Sequence, residues 1–354
     1  MSPFLLLALT ASAAAQQPAF GDTSFHLGGY GWAGFDVPIE EGTTPEFGSV
    51  GFAPIFLWRE GDRMLVQTEL EIVYGTDGLD VALEYATLDV DVGGPIVSVG
   101  KFLTPVGTFM PRLHPTWINK MILFPLPYRV GTFPMSHVGL SVQHAVRLGS
   151  QTRIMGTVFV DNGPQGTGDT PMLVPSVTDD DLDKGVGGRL SVQPVPEVEL
   201  GVSGYTGAWN PDDPHRLWLG VADAAWTRAA WLDVRAEFLA GSWDAGGYLG
   251  GWAQGAWRIR QVQKLAFLEP VLRFGWAKGL DGSVDAPSTD VATALKPMGG
   301  EHGASDYELT TEPIYEFCYG LNAYLRNNIL VKANFVHHVE DWSPTIHLSL
   351  AYGY

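Results

Sequence analysis

The chain has 354 residues, a formal net charge of −18, 17% charged residues and one cysteine, beside 43 glycines, 12 tryptophans, 12 tyrosines and 17 phenylalanines. So acidic a chain is excluded from binding a phosphate backbone, which depends on accumulated Lys and Arg, and Cys318 alone makes neither an intramolecular disulfide nor a multi-cysteine metal site. Few helix formers among so many glycines and aromatic residues point to an all-β chain.

At the N-terminus an apolar stretch, Phe4 to Leu9, runs into Ala13, Ala14 and Ala15. It fits a secretory signal over residues 1–15, which leaves 16–354 as a single exported domain. No later run approaches the ~18 consecutive apolar residues of a spanning helix. The exported chain is therefore soluble, or it crosses a bilayer as a barrel.

Alternation begins early. Met64, Val66, Thr68, Leu70, Ile72 and Tyr74 interleave with Arg63, Leu65, Gln67, Glu69, Glu71 and Val73, a period of two. Taken in order, strands are expected at 23–34, 48–60, 63–75, 79–92, 95–102, 137–148, 151–161, 184–194, 196–207, 215–226, 230–241, 248–260, 264–278, 313–326, 328–339 and 344–354. In 79–92 the phase slips around Ala86 to Leu88, as at a bulge or at a strand wrongly placed. In 230–241 and 314–326 the charged residues, such as Glu237 and Glu316, fall on one face. Alternation alone fits a sandwich as well as a barrel. Loop parity separates them: short connections such as Gly93-Gly94 and Gly149-Ser150 alternate with long ones at 35–47, 103–136, 162–183 and 279–312. Short periplasmic turns and long extracellular loops mark an antiparallel up-and-down transmembrane barrel of 16 strands. The last strand alternates Ile346, Leu348, Leu350, Tyr352 and Tyr354 with His347, Ser349, Ala351 and Gly353, and its terminal aromatic resembles an outer-membrane insertion signature. Tyr352 and Tyr354, and Phe274 with Trp276, suit interfacial girdles.

The longest connection carries the charge that matters most. Between Asp91 and Asp161 there is no carboxylate, while Lys101, Arg112, Lys120, Arg129, Arg147 and Arg153 all occur. The stretch Gly100-Lys101-Phe102-Leu103-Thr104-Pro105-Val106-Gly107, continued by Arg112-Leu113-His114-Pro115-Thr116-Trp117-Ile118-Asn119-Lys120, resembles the strand-and-loop motif of the phosphate-selective porin O and P superfamily. That resemblance implies a trimeric channel whose third extracellular loop folds inward, with anions or phosphate selected by inward Arg and Lys. Lys101, Arg112, His114, Lys120, Arg129 and Arg153 are then the constriction candidates, because low-dielectric walls focus the field of such cations on a permeating anion. The competing reading is a loop held to an acidic inner wall, with Glu69, Glu71, Glu237 and Glu269 as partners.

A different class of function is offered by His337-His338-Val339-Glu340-Asp341, where histidine and carboxylate would bind a metal or activate water. Adjacent strand residues point to opposite faces, so the two histidines do not share a site. The expectation is a non-enzymatic outer-membrane porin for small hydrophilic solutes or anions, without metal or cofactor. Its partners are outer-membrane lipid and lipopolysaccharide and two further copies in a homotrimer. A rim enzyme or a non-conducting adhesion barrel is the alternative.

Overall fold

The computed structural model describes residues 23–39, 42–75, 78–130, 133–167, 170–175, 183–208, 216–228, 231–243, 246–260, 262, 264–280, 311–339 and 344–354. The expected signal segment, Asp179 to Asp181, most of 279–312, Glu340 and Asp341 lie outside them.

Sixteen strands close into one antiparallel barrel. They are β1 (Thr23–Pro38), β2 (Glu46–Glu60), β3 (Met64–Gly75), β4 (Gly78–Asp91), β5 (Ile96–Leu103), β6 (Ser136–Leu148), β7 (Thr152–Asp161), β10 (Gly185–Val195), β11 (Val198–Ala208), β12 (Arg216–Arg228), β13 (Leu232–Trp243), β14 (Gly246–Trp257), β15 (Phe267–Gly279), β16 (Ile314–Arg326), β17 (Ile329–His338) and β18 (Thr345–Gly353). Each pairs with its neighbour, and β18 closes on β1 with Tyr30 opposite Gly353 and Asp36 opposite His347. Closure leaves no continuous edge, and a barrel of this strand number has room for more than side chains inside. Two corrections to the expected elements follow. The connection 162–183 is not only loop, for β8 (Pro164–Thr167) and β9 (Thr170–Pro175) form a separate two-stranded sheet. The bulge in β4 sits at Glu84, since Glu69 faces Tyr85 while Leu70 faces Leu83, a few residues before the slip the pattern indicated.

The period-two pattern sorts the side chains. Outward positions are mostly apolar, with two aromatic bands: Phe25, Trp58, Trp226 and Trp257 near the short-turn rim, and Tyr74, Trp218 and Tyr315 near the long-loop rim. This is the outer surface a bilayer requires, since tyrosine and tryptophan favour its two interfaces. Inward positions carry Glu69, Glu71, Asp89, Arg189, Glu237, Glu269, Arg273, Glu316, Lys332 and Asn334, all buried. Toward the short-turn rim the inward His26, Arg59 and Arg147 are exposed.

Candidate functional site

The connection between β5 and β6 enters the barrel and packs on its inner wall. It contains two single-turn helices, α1 (Phe109–Leu113) and α2 (Leu126–Val130). Phe109, Met110, Phe124, Leu126, Tyr128, Val130 and Phe133 of the loop bury against inward Leu217, Leu219, Val221, Leu239, Tyr248 and Trp252. Those wall residues occupy inward positions that would otherwise face the barrel interior, and burying them under the loop supplies the apolar part of its attachment.

One wall carboxylate organises the loop's entry. Gly107 takes a φ of +70°, which side chains rarely adopt, and a Cβ there would come within 2.9 Å of the Tyr128 hydroxyl. That turn aims the next amides at Glu237: Oε1 accepts from Thr108 N, from Thr108 Oγ1 at 2.6 Å and from Phe109 N at 3.0 Å. Oε2 accepts from the Tyr128 hydroxyl at 2.6 Å and Trp252 Nε1 at 3.0 Å. Thr108 caps α1 without a side-chain bond to the helix's own amides, so the wall carboxylate satisfies those that a helix start leaves open.

Three ion pairs follow along the loop. Arg112 grips Glu199 of β11 through both oxygens at 3.0 and 2.8 Å, and Arg189, itself paired to Asp223, shares that carboxylate at 3.1 Å. Lys120 donates to both oxygens of Glu269 on β15 at 3.0 Å, where Arg258 adds a contact at 2.8 Å. Arg129 pairs with Glu316 on β16, which also meets His338 Nε2 at 3.1 Å. Burial lowers the pKa of the Lys120 ammonium while Glu269 works to raise it. Two wall cations and a wall amide take the loop's backbone oxygens in turn. Lys332 reaches the carbonyls of Thr116 and Asn119, Arg273 that of Leu123 at 2.9 Å, and Asn322 that of Lys120 at 2.9 Å. His114 is enclosed with Nδ1 at 2.6 Å from the Met110 carbonyl, and burial pushes its pKa down to about 4.

The candidates named from sequence are thus divided. Arg112, His114, Lys120 and Arg129 lie in the loop, and each of the three loop cations meets a wall carboxylate. Among the proposed partners, Glu237 and Glu269 hold the loop. Glu69 and Glu71 do not: Glu69 accepts from the Tyr30 hydroxyl at 2.7 Å, and Glu71 lies against Glu84. Glu199 and Glu316 were missed as anchors, although each shares the inward parity of its strand with small or polar neighbours such as Gly201 and Asn322, the one signal available. Lys101 corrects the constriction set. It pairs with Ala86 and Val138 between outward Val99 and Leu103, so it faces outward, with Nζ donating to the Leu83 carbonyl. Arg153 faces inward directly opposite Arg147. His338 points inward to Glu316, whereas His337 stacks outward on Phe317 and Tyr319.

No known family profile matches the chain, and no curated protein does. Solved structures share its fold. OmpF of Salmonella typhi, in complex with daunomycin, superposes with a TM-score of 0.62 at 10% identity over 94% of this chain and 98% of that one. The anion-selective porin of Comamonas acidovorans gives 0.61 at 8% identity over 94% and 100%. The outer membrane channel DcaP of Acinetobacter baumannii gives 0.56 at 10% identity over 97% and 100%. At such identities the likeness is one of fold.

Proposed function

We propose that this chain is a porin of the bacterial outer membrane, exported behind the signal at 1–15, that passes small hydrophilic solutes by diffusion. The observation that carries this reading is a closed 16-stranded barrel, apolar with aromatic bands outside and lined by charged and amide side chains inside. Channels of the same fold among the solved structures support it. The loop from β5 to β6 narrows the passage as a fixed fitting, because its cations are spent on wall carboxylates.

An anion preference rests on different residues. Arg147 and Arg153 stand opposite each other on the inward face near the short-turn rim, with no ion pair to a carboxylate among the described residues. Like charges directly opposed across two strands repel, and an anion between them relieves that repulsion. Selectivity for phosphate, and a trimeric assembly, rest on the motif resemblance alone.

The test is the reversal potential under a KCl gradient. The wild type is expected to favour chloride, and Arg147→Gln with Arg153→Gln is expected to move the potential toward cations. A cation-selective wild type, or a double variant unchanged, would remove the anion reading. Proteoliposomes that fail to swell in small sugars would remove the porin reading itself.

A further inference from the structure

The anchored loop leaves part of the inner wall bare. Its ion pairs and hydrogen bonds go to β11, β13, β15, β16 and β17. On β3 to β7 only Phe102 and Phe159, beside the loop's root, join its main apolar cluster among the described residues. The passage therefore runs between the loop and the inward face of β3 to β7 and β10. That face carries hydroxyl and amide side chains, with Gln67, Ser98, Gln143, Thr157 and Gln193 all half-buried. Its charges are taken. Gln67 donates to Asp89 at 2.7 Å, Asp91 accepts from the amides of Gly93 and Gly94 at 2.8 and 2.9 Å, and Arg189 is held by Asp223 and Glu199. Glu69, Glu71 and Glu84 are no more than 3% exposed and offer the passage nothing.

Facing this wall, the loop shows mostly carbon. Between its buried anchors Pro111, Leu113, Pro115 and Ile118 stay half-buried. A passage with hydroxyl and amide groups on one side and carbon on the other suits a sugar ring, whose edge is a set of hydroxyls and whose faces are C–H. Sugar hydroxyls donate and accept, as amide and hydroxyl side chains do, whereas an inorganic anion uses donors alone. The strip ends on charge. Gln143 stands opposite Thr157, and Arg147 opposite Arg153 lies four residues further along the same two strands on the same face. That separation is about 13 Å, longer than one sugar ring. Gln193 stands beside Arg153 on β10.

We propose that the passage favours acidic sugars, whose hydroxyls are bound by Gln143, Thr157 and Gln193 and whose anionic group is drawn to Arg147 and Arg153. This rests on the anion reading above and names what the anion carries. The hydroxyl strip and the arginine pair act on one solute at once, so a molecule with only one of the two features is held less well than a molecule with both. Two guanidinium groups accept a carboxylate or a phosphate ester alike, so the hydroxyls set the class.

The test records single channels of the full chain in KCl with digalacturonate, glucose 6-phosphate, adipate or maltose added to one side. The two acidic sugars are expected to interrupt the current about tenfold longer than adipate, which has charge without hydroxyls, and than maltose, which has hydroxyls without charge. The longer of the two acidic sugars tells carboxylate from phosphate. Interruptions by both acidic sugars no longer than those by adipate, or no longer than those by maltose, would overturn the proposal. Gln143→Leu with Thr157→Val is expected to shorten the acidic-sugar interruptions to the adipate value, and unchanged interruptions would likewise overturn it. If that variant fails to fold, the wild-type comparison decides. The reversal potential in KCl keeps the two readings apart: a chloride-selective channel that holds the acidic sugars no longer than adipate keeps the anion preference and refutes the sugar class.

Discussion

Glu237 shows how a single residue sets the loop's position, because five donors from three elements converge on its two oxygens. Removing one charged acceptor from a buried network costs about 2–3 kcal/mol per bond that is not remade. Glu237→Ala is therefore expected to free the loop for protease cleavage while the barrel persists, as read by fragment mass after limited digestion; an uncleaved loop would contradict the assignment. His114 adds a pH dependence. With a folded value of about 4 against an ordinary ~6.5, the unfolded chain binds the extra proton between them, so stability is lost as pH falls through that window. The loss is on the order of 3 kcal/mol at pH 4. The difference in urea midpoint between the wild type and His114→Leu is expected to change between pH 6.5 and pH 4, and a constant difference would exclude His114 as its source.

At the scale of elements, alternation revealed nearly everything that depends on a strand having two faces. The sixteen barrel strands, the long-and-short loop parity and the inward side of Glu237 and Glu269 were all legible, since a lipid-facing surface leaves no freedom in which residues are polar. The place of the bulge, at Glu84 rather than at Ala86 to Leu88, and the outward turn of Lys101 were not, because both depend on how two strands align, which one strand's pattern does not contain. The loop's charges disclosed their partners only in part. In sequence Arg112, Lys120 and Arg129 read either as selectivity charges or as anchors to an acidic wall, with Glu269 among the expected partners, and only the register of β11 and β16 brings Glu199 and Glu316 to Arg112 and Arg129. Changing all three cations together to Gln is thus expected to loosen the loop, seen as added open-channel noise, with little change in ion preference. A large selectivity shift without added noise would return them to the constriction role. On β18, Leu348 stands opposite Phe35 and Ala333 on the outward face. Leu348→Arg is expected to impair membrane assembly, at about 2–4 kcal/mol if the side chain lies near the midplane. Normal heat-modifiability of that variant would contradict the outward assignment.

Across the whole molecule the charge is separated by location. The sequence is acidic overall, yet between Asp91 and Asp161 it has only cations, and the structure turns those of the loop against wall carboxylates and leaves Arg147 and Arg153 facing the interior. The same stretch places Lys101 outside, where it belongs to the barrel's surroundings rather than to its passage. Net charge therefore says little about what passes, because charges beyond ~8 Å of the path are screened at physiological salt. The most direct test of the channel itself is a planar-bilayer recording of the purified, folded protein in KCl. The barrel described here is expected to insert with discrete, ohmic conductance steps, kept small by the anchored loop and enlarged when Glu237 is replaced by Ala. Folded, heat-modifiable protein that inserts and yet conducts nothing, with the loop intact or loosened, would contradict the account.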